Sequence, residues 1–479
     1  MHLAHGIITS KVQSTAMEIV TISETCIKPS SPTPSHLKTF KLSKHHQHSP
    51  DIPFFVIFFY PASSIICSTD HDDRYLNSSQ LLKEALSKTL TSFYPFAGRF
   101  QNDDTIICND DGVLFIEART ATHLSDFLTH PDLMPLGNHL ISAASISTDA
   151  EKTIELISNS SLLHVKFTLF GCGGYAISIS MTHKIADAAS IVTLIRNWTA
   201  SCRSSNRNIG PIVLPDLSIL GRTISDPGAT SSVTSKSTNS WGPPNNKECS
   251  SKRFFFSASK IDQLKTQVVS EIGKSPSRVD VVLALIWKCS LAAASRNSPM
   301  FRPSIMLHVV NLRPFMNPPL QETCLGNLGW QFPIMVENES DMDLHELVKK
   351  LVAMKAYAHE MTKSFHCDDQ QDIVEEVLEE VEKERNTFFR NNWKKDIVFY
   401  VCTSWCRLSL YETDFGWGKP VWVNNTFKPN SLMVNAISLM DSKEFGGIEA
   451  LVHLYEEDMS VFECNEEFLQ FAAVNPSII

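Results

Sequence analysis

HVKFTLFGCGGYAISISMTHKIAD, residues 164–187, carries the reading that decides the fold. Residues 164–170 predict a strand, Gly171-Cys172-Gly173-Gly174 turn the chain, and 175–181 return as a second strand. Tyr175, Ile177, Ile179 and Met181 then share one face, because side chains alternate along an extended chain. His183 has the same parity and emerges at the strand's end on the apolar side, where 187–198 turns helical. A histidine at a strand-to-helix junction is held by rigid scaffold yet open at the end.

Working outward, the same alternation of strand and helix persists. Residues 27–34 are proline-rich and extended, because each X-Pro disfavours helix in the residue before it. Residues 54–60 read as a buried strand, and 81–92 as a helix with Leu82, Leu86, Leu90 and Phe93 on one side, stopped by Tyr94-Pro95. Strands at 105–108 and 113–118 flank Asn109-Asp110-Asp111-Gly112, which predicts a hairpin. From 222 to 251 the composition shifts to Ser, Thr, Pro, Gly and Asn, a linker between two halves of similar size. The second half predicts a strand at 253–257, a helix at 281–294, a strand at 304–310 and an amphipathic helix at 343–361. The acidic run 375–384 reads as a solvated helix face.

At 479 residues the chain is too long for one ordinary core. A hydrophobic share of 43% and a charged share of 20% are those of a globular chain and not of a disordered or fibrous one. The formal net charge of -10 excludes a general attraction for nucleic acid or an anionic membrane. The 12 cysteines are scattered without paired C-x-x-C spacing and read as reduced thiols of a cytoplasmic protein. No secretory signal or run of about 18 apolar residues is found.

Several short motifs occur in one order along the chain. They are Ile27-Lys28-Pro29-Ser30-Ser31-Pro32-Thr33-Pro34, Tyr94-Pro95-Phe96-Ala97-Gly98-Arg99, His183-Lys184-Ile185-Ala186-Asp187, Asn311-Leu312-Arg313 with Gly326-Asn327, and Asp414-Phe415-Gly416-Trp417-Gly418. Together they resemble the plant BAHD acyltransferases, in particular the vinorine synthase-like branch. The resemblance implies an α/β, chloramphenicol acetyltransferase-like fold: two similar-sized domains, each a mixed sheet flanked by helices, with a solvent channel between them. It divides the chain into an N-terminal extension, expected to be disordered, at 1–16, a first domain at 17–221, a crossover linker at 222–251 and a second domain at 252–479. Family members usually begin near Met17, which makes that residue a natural start.

The same resemblance implies direct transfer of an acyl group from acyl-CoA, with acetyl-CoA as the expected donor, to a hydroxyl of a specialised metabolite such as an alkaloid or terpenoid. Neighbouring alternatives are an aromatic acyl donor or an amine acceptor, and a more distant one is an inactive metabolite-binding relative. A base must take the hydroxyl proton, donors must stabilise the tetrahedral oxyanion, and the thiolate must regain a proton. His183 is the candidate base, since imidazole is largely neutral at cytoplasmic pH and can return the proton. Asp187, four residues on, would lie beside its own helical turn and not behind the imidazole. The family role implied for it is an ion pair with Arg313, with no covalent intermediate. Asp414 is read either as a second catalytic group or as the lock of a turn freed by Gly416 and Gly418. Trp405 and Thr403 are candidates for the oxyanion or acceptor side, with a core role the alternative for Trp405. Lys252, Arg253, Ser277 and Arg278 are the candidate coenzyme A contacts.

Two departures from the family pattern stand out. Ala188 replaces a usual glycine, which would cost on the order of 1 kcal/mol if that position needed positive φ. Leu42-Ser43-Lys44-His45-His46-Gln47-His48 stands where the family often has an Asp-Gln pair after Leu-Ser. No carboxylate or cysteine cluster completes a metal site there, so the run reads as a loop with a remodelled N-terminal contact. No metal and no permanently bound cofactor is expected, and nothing in the sequence calls for more than a monomer.

Overall fold

The computed structural model describes residues 17–49, 52–62, 71–129, 131, 140–141, 161–204, 213–224, 248–272, 275–296, 300–363, 370–392, 397–425 and 434–479. The 1–16 extension and most of the expected linker lie outside them. Two mixed sheets, each flanked by helices, make a two-domain α/β architecture.

The N-terminal sheet has six strands in the order Val20–Ile27, Val113–Thr120, Leu163–Phe170, Tyr175–Thr182, Pro53–Tyr60 and Trp422–Asn424. Leu163–Phe170 and Tyr175–Thr182 pair antiparallel across the glycine turn. Tyr175, Ile177, Ile179 and Met181 all enter one apolar core, as the period of two requires. The helices His71–Ser92 and Ala188–Ser204 close this core through Leu82, Leu86, Leu90, Ile191, Ile195 and Trp198.

The C-terminal sheet has seven strands, ordered Gly329–Val336, Ser304–Asn311, Val398–Ser404, Ala436–Asp441, Ile448–Tyr455, Cys249–Phe256 and Ala473–Val474. The helix Arg278–Arg296, apolar nearly all round, is sunk in its core, and Leu344–Lys363 covers it with Leu347, Val348, Leu351 and Met354. The acidic helix Gln370–Asn392 buries Ile373, Val374, Val377, Leu378 and Val381.

The two halves interlock. Trp422–Asn424 leaves the C-terminal half and adds an antiparallel edge to Pro53–Tyr60. Trp405, Leu410, Phe415 and Val423 lie in the N-terminal core. Trp422 stacks on Phe59 with ring centroids 5.1 Å apart and donates its indole N–H to Glu449 at 3.0 Å.

One sequence expectation fails. The strands on either side of residues 109–112 do not form a hairpin: Thr105–Ile107 joins a small four-stranded sheet, whereas Val113–Thr120 pairs with Val20–Ile27 and Leu163–Phe170. Asp110, at positive φ, is anchored sideways by the Thr33 N–H at 3.0 Å and Lys38 at 2.9 Å, which sends the two strands into different sheets. The expected loop at the histidine run is also corrected: Lys44–His48 is a short helix.

Candidate active site

His183 follows the last residue of Tyr175–Thr182, and its backbone N–H donates to Ile52 at 2.8 Å, which continues the sheet past the strand end. Its half-buried imidazole stacks on Phe54 with centroids 4.1 Å apart and planes at 27°. Nδ1 lies 3.2 Å from the Ala186 carbonyl. A carbonyl oxygen only accepts, so in the neutral ring Nδ1 carries the proton and Nε2 the lone pair. Burial pulls the pKa down to about 4, against the opposing pull of Asp187 and the Ala186 carbonyl.

Asp187 has no oxygen to offer that ring. Its carboxylate receives Arg313 at 2.6 and 3.1 Å, the Ser190 N–H at 2.9 Å, the Ser190 hydroxyl at 3.0 Å and the Leu328 N–H at 2.9 Å. Burial alone would raise its pKa, but Arg313 and these donors hold it below the ordinary carboxylate value. Arg313 is itself buried and also donates to Cys324 O at 2.9 Å and Gly326 O at 3.0 Å. Ala188 opens the helix behind the motif and is not among the residues at positive φ, so alanine brings no strain there.

The segment Gly326-Asn327-Leu328 comes from the other half of the chain. The Asn327 side-chain amide donates to the His183 carbonyl at 2.8 Å, one residue before Leu328 reaches Asp187. Gly326 has a φ of 142°, and a Cβ there would lie 2.6 Å from the His46 ring. In sequence Asn327 is only part of a motif and Phe54 only strand core; their contacts with His183 join residues far apart in the chain.

Trp405 is buried beyond the end of Val398–Ser404, with its ring centroid 6.1 Å from that of Phe54. Phe54 is thus in ring contact with both Trp405 and the imidazole. Thr403 is half-buried on that strand, opposite Ser438.

Asp414 works within its own loop. Its Oδ1 accepts the N–H groups of Gly416 at 2.8 Å and Gly418 at 2.9 Å, and both glycines take positive φ with nothing crowding them. Phe415 meets Trp198 at 4.9 Å and Trp417 meets Tyr60 at 6.0 Å, so the loop is riveted to the N-terminal core.

The four expected coenzyme A contacts fare differently. Arg253 is a correction: its guanidinium is buried over Trp422 and paired with Glu449 at 3.3 Å, which leaves it no surface for a phosphate. Lys252 pairs with Glu463. Ser277 precedes the helix Arg278–Arg296 and is bonded to Asp280, while Arg278 reaches Asp441 at 2.9 Å. Beside Ser277 opens a groove of about 490 Å³ whose lining includes Lys355, His359 and Lys363, basic residues that local sequence did not single out, together with Asp280 and Glu360.

Among the described residues no helix is long and apolar enough to cross a membrane.

The model of the Transferase family matches residues 17–469. Akuammiline synthase 1 of Alstonia scholaris is 34% identical over 457 residues, covering 95% of this chain and 97% of that protein. A 17,18-epoxy-17-hydroxycur-19-ene N-malonyltransferase of Strychnos nux-vomica is 34% identical, covering 96% and 91%. Deacetylvindoline O-acetyltransferase of Catharanthus roseus is 32% identical, covering 96% and 98%. The crystal structure of vinorine synthase superposes with a TM-score of 0.74 at 31% identity, over 95% of this chain and 98% of that one. The fold also matches F. sporotrichioides TRI101, crystallised with coenzyme A and T-2, with a TM-score of 0.62 at 17% identity, over 91% and 99%.

Proposed function

Because this chain belongs to the plant BAHD acyltransferases, its Transferase-family match spanning residues 17–469, it is an acyl-transferring enzyme, and we propose that it acetylates a hydroxyl of a specialised metabolite directly from acetyl-CoA. An alkaloid or terpenoid alcohol is the proposed acceptor, in line with the O-acetyltransferase relative that acts on deacetylvindoline. The reaction takes place in a channel between the two halves of a cytoplasmic monomer. The free thiols of all ten cysteines among the described residues agree with a reducing compartment.

The observation that carries the reading is the state of His183. With Nδ1 tied to the Ala186 carbonyl, Nε2 is the base that takes the acceptor proton as the oxygen attacks the thioester carbon. The tetrahedral intermediate then expels coenzyme A as thiolate, and the imidazolium returns the proton to sulfur. The hydrogen bonds that the Asp187 carboxylate accepts come from Arg313, Ser190 and Leu328, so no Ser-His-Asp relay and no acyl-enzyme are invoked. Trp405 and Thr403 line the acceptor side. Coenzyme A phosphates would meet the start of the helix Arg278–Arg296, where helix N–H groups favour anions, and the adjoining groove, whose Lys355 and Lys363 would exchange their partners Asp280 and Glu360 for phosphate.

The test is release of free coenzyme A by purified protein from acetyl-CoA against a panel of alkaloid and terpenoid alcohols, with His183→Ala alongside. Release that needs both acceptor and His183 supports the proposal, and release that survives His183→Ala overturns the base assignment. A second reading, malonyl-CoA with an amine acceptor, is favoured by the N-malonyltransferase relative. It predicts turnover only when that donor and amines are supplied. A folded protein that turns over no donor, aromatic acyl-CoA included, would be an inactive relative.

A further inference from the structure

The histidine run that departs from the family pattern packs on the segment Gly326-Asn327, which reaches His183. His46 is fully buried, with Nδ1 2.7 Å from the Ser43 hydroxyl. Its Nε2 accepts the backbone N–H of Asn327 at 2.8 Å, so Nε2 is unprotonated and Nδ1–H donates to Ser43. His45 Nε2 lies 2.8 Å from the Asn327 carbonyl, which can only accept, so that ring nitrogen donates. Adjacent histidines of the N-terminal half thus clasp both backbone polar groups of one residue from the C-terminal half. Gly326 lies so flat on the His46 ring that any side chain would collide with it.

We propose that His46, with His45, is a positioning residue for the catalytic base: it fixes Asn327, whose side-chain amide holds the carbonyl of His183 and with it the orientation of the imidazole. The same peptide segment reaches the Asp187–Arg313 pair through Gly326 O and Leu328 N–H. A slack segment therefore loosens the base at both ends of its motif. The acceptor for the Asn327 N–H is thus a neutral imidazole. The inference rests on His183 being the base.

Three variants test it: His46→Phe, which keeps an aromatic ring but no acceptor; His46→Gln, whose amide oxygen can occupy the Nε2 position; and Asn327→Ala. A misplaced catalytic group costs up to about a hundredfold in rate, so His46→Phe is expected to lower kcat about 10- to 100-fold with KM for both substrates within twofold. His46→Gln restores most of kcat. Because both residues act through one contact, His46→Phe with Asn327→Ala is expected to be no slower than the worse single variant. Amide hydrogen exchange of the peptide spanning 326–329 reads the clasp without turnover: faster in His46→Phe, restored in His46→Gln. Unchanged exchange in a folded His46→Phe overturns the clasp, and faster exchange with unchanged kcat overturns its role in positioning. Loss of turnover in wild type against every acceptor, with protection of 326–329 intact, refutes the functional reading and the positioning role while leaving the clasp standing.

Discussion

Phe54→Ala offers a direct test of what burial does to His183, the proposed base. The Phe54 ring stacks on the His183 imidazole at 4.1 Å, and burial holds the pKa of that ring at about 4 instead of 6.5. The base must be neutral, so acid removes activity only as pH falls through the folded value. At pH 5.5 a pKa of about 4 leaves about 97% of the imidazole neutral, whereas an ordinary pKa of about 6.5 would leave about 9%. Wild-type kcat/KM is therefore expected to be flat from pH 8 down to about 5. Removing the ring lets water reach the imidazole and raises its pKa, so Phe54→Ala should lose up to about tenfold at pH 5.5 relative to its own plateau at pH 8. The assay is product formation by mass spectrometry across pH, with tryptophan fluorescence recorded at each point to show the fold intact. An acid limb near pH 6.5 in wild type, or coincident limbs in wild type and variant, would refute the reasoning.

Other substitutions separate scaffold from chemistry. Arg313→Ala strands the buried Asp187 carboxylate and should cost about 3–5 kcal/mol, seen as a large drop in melting temperature or loss of soluble protein. Arg313→Lys should recover little, because one ammonium cannot meet both carboxylate oxygens and the Cys324 carbonyl. Asp414→Asn keeps the oxygen that receives the Gly416 and Gly418 N–H groups and should retain most of kcat, while Asp414→Ala loses stability; a collapse of kcat in a folded Asp414→Asn would make Asp414 catalytic. Melting temperature should fall as pH drops from about 6.5 towards 4, because His164, His183 and His453 are buried neutral with pKa values near 4 and the unfolded chain binds their protons first. Below about pH 4 the depressed carboxylates of Asp187 and Asp280 add a second loss, and a melting temperature constant from pH 7 to 4.5 would contradict the first.

What the sequence made legible was local. Strand parity put His183 on the apolar face, and helical spacing kept Asp187 away from the imidazole, because both depend on residues a few positions apart. The Asn109–Gly112 turn announced a change of direction, yet turn chemistry says nothing of which strand becomes the neighbour, and the Asp110 anchor to Thr33 and Lys38 decided that. Arg253 looked like a surface cation because alternation in Cys249–Phe256 cannot reveal Trp422 and Glu449, brought in by distant strands. The contacts Asn327 to His183 and His46 to Asn327 span 144 and 281 positions, beyond the reach of any local pattern.

Those separations have a mechanistic consequence. His183, the proposed base, follows a strand of the N-terminal sheet, but besides Ser190 the groups that hold its carbonyl and Asp187, namely Asn327, Leu328 and Arg313, belong to the C-terminal half. The C-terminal half in turn supplies the last strand of the N-terminal sheet and the aromatic loop against Tyr60 and Trp198. The N-terminal half alone supplies the Phe54 stack and the Ala186 carbonyl, but not the Asn327 amide or the Arg313 guanidinium. Orientation of the base is therefore coupled to docking of the halves, and a perturbation that separates them should lower kcat before it unfolds either sheet.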